Sequence, residues 1–227
     1  MSLEITWFGH AAFQVVLGGK RILIDPWIRN PLSPISLEKI QEPDYIIVTH
    51  DHGDHLGETL EIMKRFKKTI FIGLFELAEY VGEEIGDRGR VIGGNIGGPI
   101  RLDEDLRVVF TPAIHSSSRA SPAGVVIRSR DDSIYHAGDT GVFYDMSLIR
   151  ELYTPRIAMI PIGGHFTMGI DEAVKAVELL KPKYVIPMHY NTFPIISADP
   201  EIFRKKVSEK LHDVRVVILK PGESVSL

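Results

Sequence analysis

The segment His50-Asp51-His52-Gly53-Asp54-His55 sets three imidazoles and two carboxylates within six consecutive positions. Each needs a partner if it is buried, and each deprotonated form is a metal ligand. In an extended or tightly turning backbone, side chains at i and i+2 share a face, so His50 and His52 can bind one ion. Asp54 and His55 follow where the chain turns into a helix and can reach a second ion. The plainer alternative is a solvated polar loop at a helix start. The chain has nine histidines and no cysteine. Without a thiol there are no disulfides, zinc ribbons, cysteine-held iron–sulfur clusters or thiol catalysis, which leaves histidine and carboxylate as the strong ligands.

The elements around this segment read as follows. DYIIVT, just ahead of His50, is short and nearly continuously apolar, as expected of a strand buried on both faces. EITWF, AFQVVL and KRILID read as three earlier strands, the last two joined by a Gly18-Gly19 hairpin turn. Asp25 ends the third strand, where it either makes an Asx-turn before Pro26 or orients a metal-bound histidine. The stretch from Pro26 to Pro43 is a proline-rich loop of the kind that forms lids and pocket walls. Residues 57–66 and 74–85 have helical spacing and flank the strand TIFIG, and GGNIGGPIRLDEDL reads as a connector. LRVVFTPA, AGVVIRS and DSIYHAG are strands, as are IAMIPIG and YVIPMH, which are separated by a helix DEAVKAVELLK that Asp171 can cap. PEIFRKKVSEKL is a last helix with Pro200 in its first turn, and VRVVILK a last strand. This order predicts two mixed halves, sheets inside and helices outside, within a single domain spanning 1–227.

The pattern H-x-H-x-D-H at a strand end resembles the first metal motif of the metallo-β-lactamase superfamily. The later positions of that family have counterparts in His115 (TPAIHS), Asp139 (HAGDTG) and His189 (PMHYN), in the right order and each after a strand. The resemblance runs from Gly9 to His189 and implies an α/β fold, the four-layer αββα sandwich. It also implies that His50, His52 and His115 bind one divalent metal ion, that Asp54, His55 and His189 bind a second, and that Asp139 bridges them. Zinc is the expected metal, with manganese, nickel and iron open to the same donors. Flavo-diiron relatives carry Glu at the position of His52, so histidine there points to the hydrolytic branch. GHAAF, THDHGDH, HAGDTG, GGHFTMG and MHYNTFP look most like the branch of ascorbate-phosphate lactonase, N-acylphosphatidylethanolamine phospholipase D and uncharacterised metal-dependent hydrolases. In that branch a similar Gly-His faces the metals, which makes His10 a proton donor or substrate contact; its alternative is a hydrogen-bonded turn residue. His165, beside Gly163 and Gly164, is a candidate of the same kind, or else a loop-stabilising residue. Asp54 is expected to orient the attacking hydroxide. Ser116 to Ser118, Arg119, Asn191 and Thr192 flank ligands and are candidate substrate contacts. His136 reads as structural, and His212 as a bystander at a helix end.

The expected chemistry is hydrolysis by a hydroxide bridging two metals, acting on an ester, lactone or phosphodiester of a small metabolite. A nuclease or phosphodiesterase of the same fold, acting on RNA or cyclic nucleotides, and a non-catalytic metal-binding module are the competing readings. The 26 basic and 30 acidic residues give a net charge of −4, which offers no overall attraction to nucleic acid or anionic membrane. No apolar run is long enough to span a bilayer, and MSLEITWFGH has neither the basic head nor the apolar run of a signal peptide. The expectation is therefore a cytoplasmic enzyme with a small-molecule substrate and no nucleic-acid partner; a homo-oligomer, as relatives form, is left open by the sequence. β-Lactamase activity is not expected, since the export signal and cysteine ligand common among secreted β-lactamases are missing.

Overall fold

Gly18 and Gly19 take φ of +61° and +78°, the two positive values that a two-residue hairpin turn needs. They set Leu17 opposite Lys20 and so fix the register of the strands on either side. The computed structural model describes residues 3–227. In chain order the elements are β1 (Glu4–Gly9), β2 (Ala12–Leu17), β3 (Lys20–Ile24), β4 (Tyr45–Ile47), α1 (Gly53–Leu56), α2 (Thr59–Arg65), β5 (Ile70–Leu74), α3 (Phe75–Ile85) and β6 (Val91–Gly94). They continue with β7 (Pro99–Arg101), β8 (Arg107–Pro112), β9 (Ala123–Arg128), β10 (Ser133–His136), α4 (Met146–Tyr153), β11 (Ile157–Pro161), α5 (Ile170–Leu180), β12 (Tyr184–Met188), α6 (Pro200–Lys210), β13 (Arg215–Val216) and β14 (Ser224–Ser226).

Backbone contacts group the chain into two compact units. Of the described residues, the first holds 3–98, 116–122 and 219–227, with a seven-stranded sheet in the order β14-β1-β2-β3-β4-β5-β6. Its pairs are antiparallel from β14 to β3 and parallel from β3 to β6. Consequently β1, β3 and β4 run the same way, and the residues that follow them (His10, Asp25 and the His50 segment) leave the same edge of the sheet. The core of this unit is built on Phe8, Leu23, Ile46 and Phe71 against Ile62 and Met63 of α2 and Leu77 and Val81 of α3.

The second unit holds 99–115 and 123–218, with the order β13-β12-β11-β10-β9-β8-β7. Here β10 to β13 are parallel, and β7 to β10 form an antiparallel meander. Strand β8 therefore runs the same way as β10, β11 and β12. His115, Asp139, His165 and His189 all lie beyond the carboxyl ends of these strands, the edge where open α/β sheets carry their sites. Val108, Phe110, Val125, Ile127, Met159 and Val185 are fully buried, or nearly so, in the strand layer.

Several expectations are corrected. The helix expected over 57–66 is α2, Thr59–Arg65, and it is separated from the short α1 by a break at Gly57, whose φ is +46°. A Cβ there would lie 2.5 Å from Trp27 Cα and 2.6 Å from Pro26 O, so the break lets the Pro26–Trp27 backbone approach closely. The connector read from Gly93 onward holds the end of the edge strand β6 and the whole of the edge strand β7, and α4 arises where no helix was expected. The strand read in VRVVILK is ordered as strand only over β13, and β14 follows it. Gly169, not Asp171, is the N-cap of α5; Asp171 and Glu172 lie in the first turn, where carboxylates favour the helix dipole. The start of α6 is as expected, with Pro200 in the first turn and Asp199 accepting from the Glu201 N–H.

Candidate metal centre

In the first unit the site is organised by Asp25, which is fully buried. Its carboxylate accepts from the Thr49 backbone N–H at 2.7 Å and from Thr49 Oγ1 at 2.7 Å. His55 Nδ1 stands 2.8 Å from Asp25 Oδ2 and donates to it, which leaves His55 Nε2 as the ligand-bearing nitrogen. The Thr49 hydroxyl has given its proton to Asp25, so at 3.1 Å it can only accept from His50 Nδ1. One carboxylate thus sets the tautomers of two histidines. His50 Nε2 and His52 Nδ1 lie 2.9 Å apart, aimed at one point. His10, also fully buried, places Nε2 3.0 Å from Asp54 Oδ2. Its backbone is anchored by the Trp7 indole N–H, which donates to His10 O at 3.0 Å. His10, Asp54 and His55 each present one ligand atom within 4.8 Å of the others. Asp54 and His55 of that group can share an ion with oxygen and nitrogen ligands at about 2.0–2.2 Å, with His10 bonded to Asp54 beside them.

Asp51 points elsewhere. Its side chain is 2% exposed and accepts from Ser117 Oγ (2.7 Å), the Ser118 N–H (2.8 Å) and Arg119 Nη1 (2.9 Å). Desolvation pushes this carboxyl up, but those three donors outweigh it and hold the group below the usual carboxylate range. Ser117, Ser118 and Arg119, read from sequence as candidate substrate contacts, are instead bonded to Asp51. Arg119 is further seated 3.9 Å over the Tyr80 ring.

In the second unit two imidazoles converge on one oxygen. His189 Nε2 is 3.1 Å and His115 Nε2 3.5 Å from Asp139 Oδ2. His189 and Asp139 are buried, and His115 is partly so. Beside them, burial pushes the Tyr190 phenol up to about 12, so it stays protonated. Asn191 stabilises its own loop by accepting from the Ala198 N–H at 2.9 Å. His136 accepts from the Gly138 N–H at 3.1 Å, the structural role expected for it. His165 is exposed, its ring edge-on to Phe166 at 4.4 Å between centroids. His212 is exposed beyond α6.

Backbone strain marks the same residues. Among the described residues, seven non-glycine residues have positive φ: His10, Asp25, Thr154, His165, Lys181, His189 and Asn191. Thr154 and Lys181 are ordinary left-handed helix C-caps. The other five follow strands that carry the candidate site. Such conformations cost about 1–3 kcal/mol each and persist where surrounding contacts over-determine them.

Each unit therefore gathers buried imidazole and carboxylate groups, with no thiolate, at one sheet edge, and hydrogen bonds turn ring nitrogens toward a shared point. That donor chemistry fits divalent ions and defines a metal-dependent hydrolase of the metallo-β-lactamase fold. A family model described as a beta-lactamase superfamily domain matches residues 20–190. A UPF0173 metal-dependent hydrolase of Hyperthermus butylicus is 55% identical over 222 residues, covering 96% of this chain and 97% of that one. The chain belongs to the beta-lactamase superfamily and, within it, to the UPF0173 metal-dependent hydrolases. Igni18, a metallo hydrolase from Ignicoccus hospitalis, is 45% identical, with a TM-score of 0.94 over 100% of this chain and 99% of that one. An isothiocyanate hydrolase from Delia radicum gut bacteria, at 19% identity and a TM-score of 0.80 over 99% of this chain and 98% of that one, shares the fold.

Proposed function

We propose that this metal-dependent hydrolase cleaves an ester, lactone or phosphodiester bond of a small metabolite with two divalent ions, zinc foremost. His50, His52 and His115 would hold one ion, Asp54, His55 and His189 the other, and Asp139 both. When bound, such ions polarise the scissile carbonyl or phosphoryl oxygen and make hydroxide available at neutral pH. The remaining steps belong to the protein. Asp25 holds His55 and, through Thr49, His50 in the tautomers that ligation requires. His10 Nε2–H, donating to Asp54 Oδ2, fixes the rotation of that carboxylate and keeps a proton one hydrogen bond from it. His165, on a solvent-facing loop, is the group assigned to protonate the leaving oxygen. No nucleic-acid partner is proposed.

The observation that carries this reading is the Asp25–Thr49–His50 and Asp25–His55 network, an arrangement characteristic of ligands to a metal. The test is elemental analysis of unsupplemented protein together with a panel of lactones, esters and phosphodiesters. Two metal equivalents per chain and turnover of at least one class are expected. His50→Ala is expected to lose metal and at least 100-fold in kcat/KM. Full metal content and full turnover in that variant would overturn the assignment.

A further inference from the structure

The ligand-bearing loops of the second unit are tied edge to edge. The Ile114 N–H donates to Thr140 Oγ1 at 2.9 Å, and the Gly141 N–H donates to Ile114 O at 3.0 Å. Thr140 O accepts from the Met168 N–H at 3.1 Å, and Met168 O from the Gly164 N–H at 2.9 Å. Gly163 is packed so closely that a Cβ on it would lie 2.2 Å from His189 O, and the Asn191 N–H closes the last loop on Ile196 O at 2.9 Å. The loops after β8, β10, β11 and β12 thus form one continuous rim.

That rim carries apolar side chains held in solvent. Ile114 is 60% exposed, Tyr144 78%, Phe166 53% and Ile195 55%. Ile114 is adjacent in sequence to His115 and Phe166 to His165, while Tyr144 and Ile195 follow Asp139 and His189 on the same loops. Cationic side chains are missing from these segments. Residues 108–118, 133–149, 157–174 and 184–203 contain no lysine or arginine. In the first unit, residues 45–63 contain none either, Arg29 is bonded through both terminal nitrogens to Glu61, and Arg119 is bonded to Asp51. A phosphodiester backbone is gripped by Lys and Arg; an acyl or aryl group is gripped by apolar area.

From this rim we infer that the substrate is an ester or lactone with an uncharged apolar acyl or aryl part, which lies across Ile114, Tyr144, Phe166 and Ile195. The inference rests on the hydrolytic reading above and narrows it, setting phosphodiesters aside. Straight-chain carboxylates, the acid products of such cleavage, are the binding probe. Acetate, butyrate, hexanoate and decanoate are titrated calorimetrically into metal-loaded protein, with inorganic phosphate and a short single-stranded RNA as anionic comparisons. Affinity is expected to tighten about two- to fourfold per added methylene, the upper figure being full burial of a CH₂. The double substitution Phe166→Ser and Ile195→Ser is expected to cut the decanoate-to-acetate affinity ratio at least tenfold. Leu152→Ser, an exposed apolar position in the last turn of α4 and outside the segments above, is expected to leave the ratio intact and shows that the loss is local. A flat carboxylate series overturns the inference, and so does a flat series with salt-dependent RNA binding. A flat series accompanied by a Phe166→Ser change in oligomeric state also overturns it and assigns the rim to a second copy of the chain. The p-nitrophenyl esters of the same acids separate the two readings. Ester turnover with a flat binding series removes only the apolar recognition; a steep series without turnover of any ester or lactone keeps the apolar rim and removes the proposed reaction.

Discussion

Asp25 is a buried carboxylate that is not itself among the proposed ligands, yet it reaches two histidines that are. Replacing it with Asn keeps the shape but offers an amide N–H where His55 Nδ1 and Thr49 need acceptors. Asp25→Asn is expected to weaken metal affinity about 10–100-fold, the usual cost of losing such an outer partner, as read by competition with a chromogenic chelator. Unchanged affinity would make Asp25 a packing residue only. Asp51 makes a different prediction. Its folded pKa lies below the unfolded one, so its stabilising contribution is present above the ordinary carboxylate value of about 3.9 and is lost as pH falls through the folded value. Asp51→Asn is therefore expected to lower the urea midpoint at pH 7, with the gap from the parent narrowing below about pH 4. A gap that stays constant from pH 7 to pH 2.5 rules out the charge and leaves shape as the cause.

Strand direction explains why scattered sequence positions become neighbours at the element scale. Antiparallel β1–β2–β3 followed by parallel β4 brings His10, Asp25 and His50 to one edge, and β8, β10, β11 and β12 do the same for His115, Asp139 and His189. The strands and their order were legible because apolar runs end abruptly in glycine, proline or histidine, and H-x-H-x-D-H is dense enough to stand out unaided. Less legible were features set by tertiary contact. The break at Gly57 depends on the Pro26–Trp27 backbone 31 to 30 positions earlier in the chain, and no local pattern records it. Strands β6, β7 and β14 are short edge strands whose composition matches that of a loop. The Asp51–Arg119 tie joins positions 68 apart, so its serines and arginine resembled free pocket residues. Gly57→Ala follows from the same contact. The added Cβ meets backbone at 2.5–2.6 Å in a left-handed conformation, and a loss of about 2 kcal/mol or more is expected from strain and overpacking combined. Gly18→Asn, also at positive φ but in open space, is expected to change the denaturation midpoint little. Equal effects in the two variants would place the cost in the glycine conformation and not in the contact.

Considered whole, the molecule assembles buried imidazoles and carboxylates at positions that strain the backbone, and such groups oppose folding unless a partner compensates them. Under the proposed assignment, divalent ions would supply that compensation only to the folded chain, because the proposed donors are far apart in sequence, from His50 to His189. Linkage then gives the size of the effect: a ligand present at 100 times its Kd adds about 2.7 kcal/mol to stability. For a chain of 227 residues, each kcal/mol shifts Tm by about 2–4 °C. Dialysis against a chelator is thus expected to lower Tm by roughly 5–11 °C on these figures and to abolish turnover. Zinc is expected to restore both, with Tm rising as the logarithm of free metal once the sites are saturated. The same titration on His189→Ala discriminates further, since one proposed ligand is gone while the first-unit donors remain. Its Tm is expected to respond to zinc with a smaller slope. A chelator-treated parent that melts where the loaded protein melts would show that the histidine cluster is held by the protein's own hydrogen bonds, with no contribution from bound metal.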